Sequence, residues 1–98
     1  MANNNHALTS NEIEKALLDL KGWEYVSDSI KRKFLFNSYL AGVDFIKKCA
    51  KIAEDFQHHP EITLSYKSVE VCYTTHDVGN KVSMKDIVCA KEINSVEI

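Results

Sequence analysis

Apolar positions along this chain switch between helical and strand-like spacing, and the switches divide it into seven elements. Ile13, Ala16, Leu17 and Leu20 recur on one face of a predicted helix. Thr9 and Glu12 precede them as a T-x-x-E capping box, and Gly22 can adopt the left-handed conformation that ends such a helix. In "WEYVSDSIKRKFLFN", Trp23 and Tyr25 alternate with Glu24 and Val26, Ser27-Asp28-Ser29 is turn chemistry, and Ile30, Phe34 and Phe36 share one side. This predicts a β-hairpin. "YLAGVDFIKKCAKIAEDF" is the longest helix, capped by Asn37 or Ser38, with Tyr39, Val43, Ile46, Ala50, Ala53 and Phe56 as its expected core stripe. Pro60 follows, where helices commonly stop.

"ITLSYKSVEVCYTTH" reads as two strands, with Val69, Val71, Tyr73 and Thr75 on one face and Glu70, Cys72 and Thr74 on the other. "DVGNK" is a turn, and Ser83 to Asp86 forms a second capping box that opens a C-terminal helix. The order α-β-β-α-β-β-α predicts an α+β fold, a four-stranded antiparallel sheet with three helices packed on one face.

Composition narrows the functional classes. Ninety-eight residues make one small domain, expected over 8–98 after an unstructured polar tail over 1–7 that contains His6. A domain of this size is marginally stable alone, so a homo-oligomer is expected. A net charge of −2 gives no basic footprint for nucleic acid. Lys31-Arg32-Lys33 reads as an edge strand whose charges discourage pairing. Cys49, Cys72 and Cys89 are odd in number and lack C-x-x-C spacing, which suits a reducing compartment. The start "MANNNHALT" has no signal-peptide pattern, and no apolar run approaches a membrane span. A cytoplasmic protein is expected.

The candidate chemistry lies in "QHHPEI" and in Thr75-His76. A metal reading is weak, because structural zinc needs four ligands at recognisable spacing and adjacent histidines on an extended segment diverge. A second reading makes His58 and His59 a helix end, where imidazolium suits the macrodipole. A third brings the end of the His76 strand beside the end of the central helix, so that imidazoles converge as proton donors and acceptors.

Glu54, three residues, His58-His59-Pro60, five residues, Tyr66, nine residues, His76 and then Asp86 together resemble the signature of the pterin-4a-carbinolamine dehydratases. "GWEYV" is similar to that family's Gly-Trp hairpin start, and "YKSVEVCYTTH" to its strand running to Thr-His. The resemblance spans about Leu8 to the C-terminal helix. It implies the same α+β fold, a homodimer or homotetramer, and loss of water from 4a-hydroxytetrahydropterin to give quinonoid dihydropterin, which recycles the tetrahydrobiopterin cofactor of aromatic amino-acid hydroxylases. It implies no metal and no organic cofactor. It places His58 and His76 as acid and base without ordering them. His59 orients the hydroxyl, and Glu54 contacts the pterin with Thr74 and Thr75 as further substrate contacts. Trp23 and Tyr66 read as packing, and Asp86 as the helix cap. An alternative role carried by some relatives is a non-catalytic interaction module, such as a dimerisation cofactor of a transcription factor, which adds a possible protein partner and a nuclear location. One departure stands out. "THDVGNKVSMKD" is one residue longer than the family's usual turn, with Asn80-Lys81 replacing a small, tight segment beside His76.

Overall fold

The computed structural model describes residues 6–96. Its elements are α1 (Ser10–Leu17), β1 (Glu24–Val26), β2 (Ser29–Leu35), α2 (Tyr39–Phe56), β3 (Glu61–Ser65), β4 (Ser68–Tyr73), a single 3₁₀ turn (His76–Val78) and α3 (Met84–Asn94). The order is the one the periodicity predicts. The strands form one antiparallel sheet in the order β1-β2-β4-β3, with the helices on one face. Most of the expected tail lies outside the described residues.

Alternation along the strands builds the core. Ile30 and Phe34 on β2 and Val69, Val71 and Tyr73 on β4 are buried, and Thr75 continues the same face just beyond β4. Trp23 is 6% exposed and its indole N–H donates to Asn94 Oδ1 at 2.7 Å, so it ties the hairpin to the end of α3. A buried Trp that finds an acceptor keeps both its apolar area and its polar atom satisfied.

Three expectations change. First, α2 buries Gly42, Phe45, Cys49 and Ala53 against the sheet, while Tyr39 and Phe56 are 49% and 43% exposed. The expected stripe is therefore rotated. A Cβ on Gly42 would meet Leu64 Cδ1 and Val69 Cγ2 at 3.2 Å, so the helix lies close against β3 and β4 at this glycine. Second, β2 is an inner strand rather than an edge. Arg32 shares the face of Ile30 and Phe34; its guanidinium lies 4.3 Å from the Phe34 ring centroid and donates to Lys21 O and Asn94 Oδ1. Third, Tyr66 does not pack: it is 71% exposed at the β3–β4 turn, with Lys67 over its ring.

Helix α1 ends earlier than its apolar spacing suggests. Leu18, Asp19 and Leu20 make amide bonds to the carbonyls three residues back, which tightens the chain and drops Leu20 into the core. Gly22, at φ +88°, then turns the chain into Trp23.

Candidate active site

The site forms where α2 ends, β4 ends and α3 begins. Thr9 and Ser38 cap α1 and α2 through their hydroxyls. At the far end of α2, Gln57 takes the left-handed conformation (φ +50°) and the His58 amide donates to Ala53 O at 3.0 Å. This six-to-one bond is a Schellman closure. It folds His58 back over the helix end, so Pro60 acts later, at the entry to β3. The Gln57 side-chain amide donates to Glu54 O and completes the closure.

His58 then faces inward. Its Nε2–H donates to Asp86 Oδ1 at 2.6 Å, its ring stacks on Tyr73 with centroids 5.1 Å apart, and Tyr73 donates its hydroxyl to His58 O. Burial pushes the Tyr73 phenol well above its usual range, so it stays a donor. Asp86 is fully buried. Its other oxygen accepts from Ser83 N–H at 2.9 Å, the capping-box bond, and from Thr75 Oγ1 at 2.8 Å. Because the Thr75 proton goes to Asp86, the 2.6 Å contact between Thr75 and Ser83 must have Ser83 Oγ–H donating. Ser83 Oγ accepts from Lys85 N–H. Among the described residues no buried side-chain polar atom is left without a partner. Asp86 thus does more than cap α3: the same carboxylate holds His58.

His59 points the other way, as successive residues of an extended segment do. It is 58% exposed at its side chain, and its Nε2–H donates to Glu54 Oε2 at 2.5 Å. His76 opens the 3₁₀ turn after β4, and its Nδ1–H donates to Asn80 Oδ1 at 3.0 Å.

These elements enclose an open cavity of about 260 Å³ lined by His58, His59 and His76, by Thr74 and Thr75, and by Gln57, Asp77 and Lys85. The structure therefore brings together all three sequence-picked imidazoles and both threonines. Thr74 also donates its hydroxyl to Asp28 O, which fixes the hairpin turn beside the cavity. Glu54 does not line the cavity; it stands behind His59 as its partner. Lys85, 3.8 Å from Asp77, and Gln57 were not singled out in the sequence. The signal for Lys85 was its place beside the second capping box, in the first turn of α3. Among the described residues no three His, Cys, Asp or Glu side chains gather as a metal-ligand set, and no helix is long and apolar enough to cross a membrane.

Comparison with known proteins follows the same lines. A family model described as "Pterin 4 alpha carbinolamine dehydratase" matches residues 6–96. A relative from Thermosynechococcus vestitus, whose name places it in that family, is 37% identical over 93% of this chain and 95% of its own length. A crystal structure from Brucella melitensis, described as a transcriptional coactivator/pterin dehydratase, superposes with a TM-score of 0.86 at 35% identity, over 92% of this chain and 97% of that one. A pterin dehydratase-like protein identified as a RuBisCO assembly factor in the alpha-carboxysome has a TM-score of 0.62 at 18% identity, over 76% and 87%, and shows a shared fold. On the extent of the family match and of these identities, this chain belongs to the pterin 4 alpha carbinolamine dehydratase family.

Proposed function

We propose that the cavity dehydrates a 4a-hydroxytetrahydropterin, with His58 and His76 as the acid–base pair. The observation that carries this reading is the set of three imidazoles on one cavity, each with one ring nitrogen held by a side-chain oxygen. A neutral imidazole has one N–H and one lone pair, so holding the first nitrogen as donor leaves the second to accept a proton. His58 and His59 are left with Nδ1, and His76 with Nε2.

The reaction needs that division. The C4a–O bond breaks, and the hydroxyl takes a proton from an imidazolium and leaves as water. A second imidazole, neutral at that moment, takes the proton from a ring nitrogen, giving the quinonoid dihydropterin. Each proton transfer by a positioned side chain contributes roughly 10² to 10⁴ in rate. His59, backed by Glu54 and more open to solvent, suits orienting the hydroxyl. Thr74 and Thr75 line the wall the pterin would lie against. At about 260 Å³, the cavity lies near the small end of ligand sites, roughly 300 Å³ upward, which suits a bicyclic substrate. In this reading the protein recycles the hydroxylase cofactor, and it assembles as a homodimer or homotetramer.

The test follows decay of a 4a-hydroxytetrahydropterin generated in situ. Folded protein that gives no acceleration over buffer removes the proposal. A second reading, an interaction module for a protein partner, draws on the Brucella melitensis protein, whose description joins a coactivator role to the dehydratase. Partner capture by an inactive but folded His76→Ala protein separates the two, because a scaffold role survives that change.

A further inference from the structure

We propose that Asn80 is a positioning residue for His76: its side-chain carbonyl fixes the imidazole in the Nδ1–H form and so presents Nε2 as the proton acceptor of the cavity. The inference rests on reading the cavity as an acid–base site. Asn80 belongs to the segment in which this chain departs from the family pattern, so the signature residues say nothing about it.

The contact is the 3.0 Å bond from His76 Nδ1–H to Asn80 Oδ1. The backbone makes it possible. Gly79 and Asn80 are consecutive left-handed residues, at φ +79° and φ +61°. Asn is among the few side-chain-bearing residues that accept this region readily. The reversal is closed by Gly79 N–H to His76 O at 3.1 Å, Asn80 N–H to Thr75 O at 3.1 Å and Thr75 N–H to Lys81 O at 2.9 Å. Lys81 Nζ then pairs with Asp28 Oδ2 at 3.3 Å, anchoring the far side of the loop to the hairpin turn that also receives Thr74. The loop thus brings the Asn80 amide to the back of the His76 ring, four positions on, and the surrounding bonds hold both partners in place.

The chemistry follows from imidazole itself. A free neutral imidazole side chain favours the Nε2–H form, which would put a hydrogen on the nitrogen proposed to accept the substrate proton. Donation from Nδ1–H to a fixed carbonyl reverses that preference without adding charge. A carboxylate at the same place would also hold Nδ1–H.

The tautomer of His76 is read by two-bond ¹H–¹⁵N correlation spectra of the labelled full chain at a pH where the imidazoles are neutral. Asn80→Gly keeps the left-handed backbone and removes the acceptor; Asn80→Asp keeps an acceptor. The wild type should show Nε2 unprotonated, Asn80→Gly should move His76 to the Nε2–H form, and Asn80→Asp should restore the first pattern. Turnover by Asn80→Gly should fall about tenfold in kcat with KM changed less than about twofold, because a minority of molecules still offers the base, and Asn80→Asp should recover it. A wild-type His76 in the Nε2–H form overturns the proposal, as does an Asn80→Gly protein that keeps Nδ1–H. So does a changed tautomer with unchanged kcat. If the wild type dehydrates no pterin, the reading of the cavity falls, while the spectra still decide whether Asn80 holds His76.

Discussion

Replacing Asp86 by Asn tests whether one buried carboxylate supports both a helix start and a reactive imidazole. The side chain is fully buried and accepts three hydrogen bonds, from His58 Nε2–H, Thr75 Oγ1 and Ser83 N–H, at 2.6, 2.8 and 2.9 Å. The amide has the same shape but one acceptor oxygen. That oxygen best stays where two donors meet, with Ser83 and Thr75. The amide nitrogen then faces His58 Nε2 and donates to it, so the imidazole must carry its hydrogen on Nδ1, the nitrogen proposed to exchange protons. A bond to a charged group contributes about 1.5–3 kcal/mol and a neutral one about 0.5–1.5, so three weakened bonds amount to roughly 3 kcal/mol. The amide is cheaper to bury than the carboxylate, which offsets part of this and leaves a net loss of about 2 kcal/mol. For a domain of this size that lowers Tm by roughly 8–16 °C. Guanidinium denaturation gives the stability, and the in situ dehydration assay gives kcat, expected to fall at least about 10²-fold. A variant within about 0.5 kcal/mol of wild type would show that the carboxylate contributes no more than a typical surface residue. An unchanged kcat in folded protein would remove Asp86 from the proton-transfer geometry.

The two histidines should separate in stability. His58→Ala orphans a buried carboxylate oxygen and should lose about 1.5–3 kcal/mol in denaturant titrations, whereas exposed His76→Ala should stay within about 0.5. Equal stabilities would refute the inward role of His58. Gly22→Ala should lose about 1–2 kcal/mol or more, since it forces a side chain into φ +88° with its Cβ 2.5 Å from Arg32 Nε; a neutral result would mean the turn relaxes. Burial raises the Cys49 and Cys89 thiols from 9.0 to about 12 and about 11. The folded chain therefore keeps protons that the unfolded chain loses. Their stabilisation is full below pH 9.0 and is lost as pH rises toward the folded values, with a slope of about 1.4 kcal/mol per pH unit for each thiol. Chemical denaturation across that window should show the decline in wild type and a shallower one in Cys49→Ala; an identical slope in the two would refute the assignment.

The elements that were legible in the sequence are those in which one local rule suffices. Both capping boxes form, Ser27 and Asp28 reverse the first hairpin with Ser29 already paired in β2, and the Val69, Val71, Tyr73, Thr75 face is buried as alternation requires. What failed depended on neighbours. The apolar positions of α2 allow two adjacent stripes, and the buried one is that with Gly42, where the helix comes close to Leu64 and Val69, and Phe45, which packs on Phe34 and Phe36. The charges of Lys31, Arg32 and Lys33 suggested an edge, yet Arg32 exits the inner face at the rim of the core, and spacing along one strand carries no information on which strands flank it.

The candidate site shows the same limit. Its histidines could be singled out because imidazoles are scarce and carry chemistry. Glu54, the partner of His59, was singled out with them, but the contacts of Asp86 to His58 and of Asn80 to His76 could not be, because Asp86 already had a complete explanation as a cap and Asn80 looked like turn chemistry. Both explanations hold, and neither is the whole role. Asp86 spends one oxygen on the start of α3 and the other on His58. Asn80 supplies the left-handed backbone of a reversal and an acceptor for His76. In a chain of 98 residues the groups that cap a helix or close a turn are also the ones nearest a site built where α2 and β4 end and α3 begins. The proposed acid–base geometry and local stability are therefore coupled unevenly. His58 is tied to the core through Asp86 and Tyr73, and a change there should register in unfolding as well as in turnover. His76 is tied to an exposed loop, and a change there should register in turnover with stability almost unmoved.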